Sequence, residues 1–244
     1  MPPRIHAFLI HLAASATLAL LTLALVYGLW YPPPLQKALG VTGIYLLLLG
    51  VDVVIGPTLT LVVFKPGKKS LYLDLAIIVC LQLAAFAYGL WTVADGRPAW
   101  LVFNTDRFDV AQAYQLDEHH SDAIPAHYRN PPWLGPRWVA AHMPTNAKAY
   151  DAALFKAIFS GVDIPLRPAL YYPLAEAKDE IRKHLQPLDT LKRFNPAAAV
   201  DKAHARWPEA DTFLPLMAKV RPMTVLMRKD TVQVVAIVDL NPWE

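Results

Sequence analysis

Residues 41–64 read VTGIYLLLLGVDVVIGPTLTLVVF, twenty-four residues with one charged side chain, Asp52, at the twelfth place. A helix of that length rises about 36 Å, enough to cross the ~30 Å hydrocarbon core of a bilayer. Asp52 then falls near the midplane, where an aspartate costs about 2.5–3.5 kcal/mol on insertion scales, so it must face protein rather than lipid. At helical spacing it shares a face with Tyr45, Leu49, Gly56 and Thr60, and Gly56 permits close approach of a second helix. Pro57 has no amide hydrogen, which frees the carbonyl of Val53 and predicts a kink.

Two further apolar runs flank this one, so the spans are expected at about 5–30, 41–64 and 71–93. Tyr31-Pro32-Pro33-Pro34 stops the first run, and Lys65-Pro66-Gly67-Lys68-Lys69 separates the second from the third. Aromatic residues at the ends, among them Trp30, Tyr72 and Trp91, suit the membrane interface. Arg4 and Ala14-Ser15-Ala16 could instead mark a signal peptide, but the run is longer than the 7–15 residues of an h-region, and an uncleaved anchor is the better reading. The basic residues Arg4, Lys65, Lys68 and Lys69 fall on one side of the membrane and Lys37 on the other. That bias predicts a cytoplasmic amino terminus and a cytoplasmic juxtamembrane loop at Lys65, Lys68 and Lys69.

Composition divides the chain in the same place. Residues 1–95 hold eight charged side chains and residues 96–244 hold thirty-five, so a membrane domain is followed by a polar domain. Three crossings carry residues 96–244 to the far side, the periplasm if the membrane is a bacterial inner membrane. The 18 basic and 17 acidic residues of this half show no basic stripe, which excludes nucleic acid as a partner. The lone cysteine, Cys80, rules out a disulfide framework.

Within the polar half, Trp100–Asn104 reads as a strand, and helices are expected at about 147–159, 174–185 and 196–206. Met223–Arg228 and Thr231–Leu240 around Lys229-Asp230 outline a hairpin whose second strand, apolar on both faces, is expected in the middle of the sheet. The fold class is therefore a membrane protein with three transmembrane α-helices followed by a small α+β periplasmic domain with an antiparallel sheet.

Candidate sites follow from chemistry. Gln82 in the third span and Ser15 in the first lie at the depth of Asp52, with His11 on Ser15's face nearer the cytoplasmic side. Asp52, Gly56, Pro57, Thr60 and Gln82 either clip the three helices together or receive a transmembrane segment of another protein. A proton relay is disfavoured, because no chain of carboxylates continues from Asp52. In the polar half, Asp106 and Arg107 read as an ion pair fixing a turn or as charge offered to a partner. The segment Tyr128–Trp138, with Trp133, Arg137 and Trp138 among its prolines, is either an interaction surface or a loop packed on the sheet. His119 and His120 lie in a polar stretch with Asp117, Glu118 and Asp122 and read as a solvated loop. No metal, cofactor or catalytic motif is expected.

The run Val51–Leu71, with Asp74-Leu75 and Leu81-Gln82-Leu83, resembles the TfpX/TfpZ family of type IV pilin accessory proteins. So do Gly96–Phe103, Asp106-Arg107-Phe108 and Ala236–Trp243. The resemblance is specific over the first 110 residues and looser between about 111 and 215. It implies an inner-membrane protein of Gram-negative bacteria that supports type IV pilus biogenesis by acting on a particular major pilin, with the pilus assembly machinery as a further partner. It implies no enzymatic activity for any named residue. The buried carboxylate, the absence of a catalytic motif and the resemblance together favour a non-catalytic, chaperone-like role; a membrane enzyme that processes or modifies pilin is the alternative.

Overall fold

In the computed structural model, residues 1–117, 123–143, 159 and 161–243 are described; the expected helix at 147–159 and the His119-His120 pair lie outside them, apart from Phe159. Three helices are long and apolar enough to cross a membrane, Pro3–Trp30, Val41–Val63 and Leu71–Asp95, with 28, 23 and 25 residues. They match the three expected spans. The first is α1 (Pro3–Leu25), ending in a π-helical turn at Val26–Trp30. The second is α3 (Val41–Leu49), a π-helical segment at Gly50–Ile55, and α4 (Gly56–Val63). The third is α5 (Leu71–Asp95). A short helix, α2 (Leu35–Leu39), lies between the first two spans.

The chain forms two compact units, residues 1–32 with 40–96, and residues 33–39 with 97–244. The link Pro33–Leu39 thus packs with the polar half. Leu35 and Ala38 enter that unit's core, and the Ala38 carbonyl accepts from the amides of Val220 and Arg221 at 3.0 and 3.2 Å.

The second unit is built on one mixed sheet of β1 (Pro98–Asn104), β2 (Arg107–Gln112), β3 (Arg137–Ala141), β4 (Tyr171–Pro173), β5 (Gln186–Pro187), β6 (Thr212–Met217), β7 (Met223–Arg228) and β8 (Gln233–Val238). The order is β4-β3-β1-β2-β6-β7-β8, with β5 beside β6. Most ladders are antiparallel as expected, but β1–β3 and β2–β6 are parallel, so the sheet is mixed. Helices α6 (Ala126–Arg129), α7 (Lys178–His184) and α8 (Ala197–Arg206) follow among the described residues, with several short 3₁₀ turns between the strands. The expected helix at 174–185 begins as a 3₁₀ turn, Leu174–Ala177, before becoming α7.

Why β1 is central follows from its sequence. Leu101 and Phe103 enter one hydrophobic cluster with Phe108, Leu216 and Val225, while Trp100 and Val102 enter another with Val139, Tyr128 and Tyr171. A strand with apolar residues on both faces is buried on both. The same argument applied to Val232–Val238 fails: β8 ends the strand order and is only half-buried. Its β-branched residues fit a pleated surface wherever the strand lies, so composition alone did not place it. The interior strand of the hairpin is β7, whose Val225 and Met227 enter the first cluster and Leu226 a third, with Phe213, Val200 and Leu240.

Asp106 occupies the two-residue turn between β1 and β2, and Arg107 turns instead to Asp109, with its Nε 3.4 Å from Oδ1. The expected Asp106–Arg107 pair is replaced because residues two apart in a strand share a face, whereas neighbours do not. Burial raises the Asp109 carboxyl to about 6, against the pull of the Arg107 guanidinium. A carboxyl raised in the folded state contributes stability below its unfolded value, near 3.8, which is lost as pH rises through 6. In the full-length protein, Asp109→Asn should remove about 2–3 kcal/mol of that loss and raise the thermal midpoint at pH 8 but not at pH 4; equal pH dependence of both proteins by calorimetry would contradict this.

Candidate functional site: a polar clip across the three spans

Four side chains meet in the first unit. Ser15 and His11 lie one turn apart on α1, Thr60 projects from α4, and Gln82 comes from α5. Gln82 Nε2 donates to the Asp52 carbonyl at 2.9 Å and to Ser15 Oγ at 3.0 Å. Gln82 Oε1 lies 3.0 Å from His11 Nε2, and His11 Nδ1 lies 2.7 Å from Thr60 Oγ1.

The directions of these bonds follow from one group. A backbone carbonyl only accepts, so the Asp52 carbonyl fixes which end of the Gln82 amide faces it. Oε1 then faces His11 and can only accept, so His11 carries its proton on Nε2. In the neutral ring, Nδ1 accepts from the Thr60 hydroxyl. One amide thereby ties the first and third spans to the second.

The sequence around Asp52 explains why that carbonyl is available. Gly56 N–H bonds the Val51 carbonyl, five residues back, as in a π-helix. In that register the Asp52 carbonyl would take the amide of residue 57, but Pro57 has none. Gln82 supplies the missing donor. The proline thus acts through a π-turn and Asp52, rather than through the kink at the Val53 carbonyl expected from an α-helical register. Gly56 makes room: a Cβ there would lie 1.8 Å from Gln82 Oε1. Asp52, Gly56, Pro57 and Thr60 are all buried.

Asp52's side chain is left out of this network. It is 3% exposed, and neither carboxyl oxygen has a hydrogen-bond partner among the described residues. Both hydrogens of the Gln82 amide are already committed, so Gln82 cannot serve it as well. Asp52 also lines a groove of about 280 Å³ between the second and third spans, walled by Leu47, Leu48 and Val51 on one side and Ala85, Phe86 and Gly89 on the other. Elsewhere in the bundle, Tyr45 O–H donates to the Ala19 carbonyl at 2.7 Å and Tyr31 O–H to the Val93 carbonyl at 2.8 Å. Tyr45 lies within the spans and Tyr31 just past the end of the first span, and both hydroxyls are satisfied within the unit.

The remaining candidates are dispersed. Lys65, Lys68 and Lys69 are exposed between α4 and α5, with Lys68 2.6 Å from Asp74. Trp138 is half-buried and meets Phe108 edge-on at 4.8 Å, whereas Trp133 and Leu134 are 60% and 81% exposed. The proline segment therefore divides: Trp138 packs on the sheet, and Trp133-Leu134 forms the outward part. Arg137 opens β3 at an exposed position. Arg97 shapes this loop, donating from Nε to the Pro132 carbonyl at 3.0 Å and stacking over the Trp133 ring at 3.9 Å. The reading from sequence missed Arg97, although an arginine between a span and a strand, upstream of an aromatic proline loop, was its signal. Among the described residues, no group of His, Cys, Asp and Glu side chains is arranged to hold a metal.

A three-span bundle closed by a polar clip, followed by a mixed-sheet domain, defines a membrane protein with an appended α+β domain. Comparison with known proteins supplies the family. The chain is 30% identical to a fimbrial assembly protein of serogroup I from Dichelobacter nodosus, covering 96% of this chain and 94% of that protein. It is 29% identical to the serogroup E1 protein of the same organism over the same shares. A third, of serogroups C1 and C2, is 38% identical over 99 residues, 40% of this chain and 76% of that protein. The family model "Fimbrial assembly protein FimB" matches residues 1–40. The chain belongs to the fimbrial assembly protein family. No solved structure matches it.

Gly56→Ala should displace the Gln82 amide and cost about 1–3 kcal/mol of unfolding free energy in micelles. In a Gln82→Ala background the same substitution should cost far less, and equal costs in both backgrounds would contradict the seat described.

Proposed function

We propose that this protein is a non-catalytic, chaperone-like accessory factor for type IV pilus biogenesis. It resides in the bacterial inner membrane with its amino terminus in the cytoplasm and residues 96–244 in the periplasm. Membership of the fimbrial assembly family supports a role in pilus biogenesis. The resemblance of residues 51–71 and 96–108 to TfpX/TfpZ supports the major pilin as the partner, with the pilus assembly machinery as a second contact.

The observation that carries the membrane contact is the buried Asp52 carboxyl without a donor beside a groove open along two spans. A polar group in hydrocarbon without a partner costs several kcal/mol, and acyl chains offer no donor. A transmembrane segment of another protein that brings a hydroxyl, amide or ammonium group into the groove supplies one. Gly56, Pro57, Thr60 and Gln82 hold the helices together, and Asp52 meets the partner; the two roles read from the sequence are thereby divided between neighbouring residues. In the periplasm, Trp133-Leu134, held by Arg97, and the exposed Arg137 are suited to the pilin head, since rigid aromatic and arginine side chains dominate binding energies.

Deleting the gene should abolish surface pili while leaving the mass of mature pilin unchanged; a changed mass would favour a modifying enzyme instead. Asp52→Asn, which keeps hydrogen-bonding capacity, should retain piliation, and Asp52→Leu should lower it at least about tenfold at equal protein level. A photo-crosslinker at Val51 or Phe86 should capture the apolar helix of pilin. Capture of nothing but lipid or of a second copy, or equal piliation in both Asp52 variants, would remove the groove from the mechanism.

A further inference from the structure

We infer that the second unit carries a docking site for the phosphate head group of an anionic phospholipid, in a groove between α8 and the segment that follows β8. The groove has a volume of about 510 Å³ and is lined by Lys37, Lys202, Arg206 and Asp239 above an apolar floor that includes Ile237 and Leu240. These residues come from three stretches far apart in sequence.

Charge in the groove does not cancel. Asp239 is held by Lys37 at 3.0 Å and by Arg221 at 3.1 Å. Lys202 and Arg206, one turn apart on α8, form no ion pair among the described residues. The neighbouring Asp201 is taken by Lys192 at 3.0 Å. The Arg206 guanidinium lies 4.7 Å from the centre of the Trp207 ring, which presents its donors as a fixed plane suited to phosphate. Two unpaired cations one turn apart, beside apolar surface, match a ligand that is anionic at one end and apolar at the other.

Covalent geometry tethers the Lys37 end of the groove to the spans. Pro33, Pro34 and Lys37, which line it, belong to the link between the first span, ending at Trp30, and the second, starting at Val41. Val41 is four peptide steps on from Lys37, so Lys37 lies no more than about 14 Å from the point where the chain re-enters the apolar layer. Head groups extend about 5–8 Å beyond that layer on each side. In the orientation proposed above, on which this step rests, the link lies one crossing away from the Lys65–Lys69 loop, on the side where basic residues are ordinarily scarce. A cluster of cations there calls for a ligand of opposite charge. A free phosphate would use the cations but not the apolar floor, and a phospholipid uses both.

The test is native mass spectrometry of the full-length protein in a non-ionic detergent, with phosphatidylglycerol or phosphatidylcholine added in equal amounts. Phosphatidylglycerol should remain bound at several-fold higher occupancy. The double variant Lys202→Ala/Arg206→Ala should lower that occupancy about tenfold. Arg182→Ala/Lys183→Ala, which removes the same charge from α7, should leave it unchanged. Excess glycerol phosphate should not displace the lipid. Equal retention of both lipids, equal losses in the two double variants, or displacement by glycerol phosphate, which would mark a soluble-anion site, would each overturn the proposal. The result is independent of whether the protein acts on pilin.

Discussion

The membrane unit depends on one hydrogen bond, from the Gln82 side chain to the backbone carbonyl of Asp52 at 2.9 Å. In lipid a backbone carbonyl has to find its donor inside the protein. The π-turn over Gly50–Ile55 shifts the partner of that carbonyl to residue 57, and Pro57 cannot donate. The third span therefore has to approach, Gly56 has to be small, and the amide is held in one orientation. That orientation fixes the His11 tautomer and the role of the Thr60 hydroxyl. A single local defect in the second helix thus organises all three.

The same arrangement exposes a functional residue. Because Gln82 spends both donors on the Asp52 carbonyl and Ser15, the carboxyl of the same aspartate has none. Structural and partner-facing requirements meet at one residue but on different atoms. Replacing the side chain changes what the groove offers while the backbone bond persists. The second unit shows a comparable division, with Trp138 packed against Phe108 and Trp133-Leu134 turned outward a few residues earlier.

Much of the membrane unit was legible in the sequence, because span length, depth and polarity are one-dimensional properties. Asp52, Gln82, Ser15 and His11 could be ranked by depth, and Gly56 and Thr60 by helical spacing. The π-turn was not legible, since it changes the register that such spacing assumes. In the polar half, β1 and the β7–β8 hairpin followed from apolar runs and turn residues. Strand β6 did not, because Pro215 interrupts it; the structure accommodates the proline where neither β5 nor β2 has a paired residue opposite. The parallel ladders and the marginal place of β8 depend on contacts between distant segments, which no local pattern records. The Lys202–Arg206 groove also draws on the link at Pro33–Leu39, more than 160 residues away along the chain.

The most direct test of the central bond is a double-mutant cycle between Pro57 and Gln82, read as unfolding free energy in mixed micelles. Pro57→Ala restores an amide hydrogen to the second span and gives the Asp52 carbonyl an alternative donor. Gln82→Leu should therefore cost about 1–3 kcal/mol less in the Pro57→Ala background than in the wild type. An equal cost in both would show that Gln82 does not stand in for the missing amide.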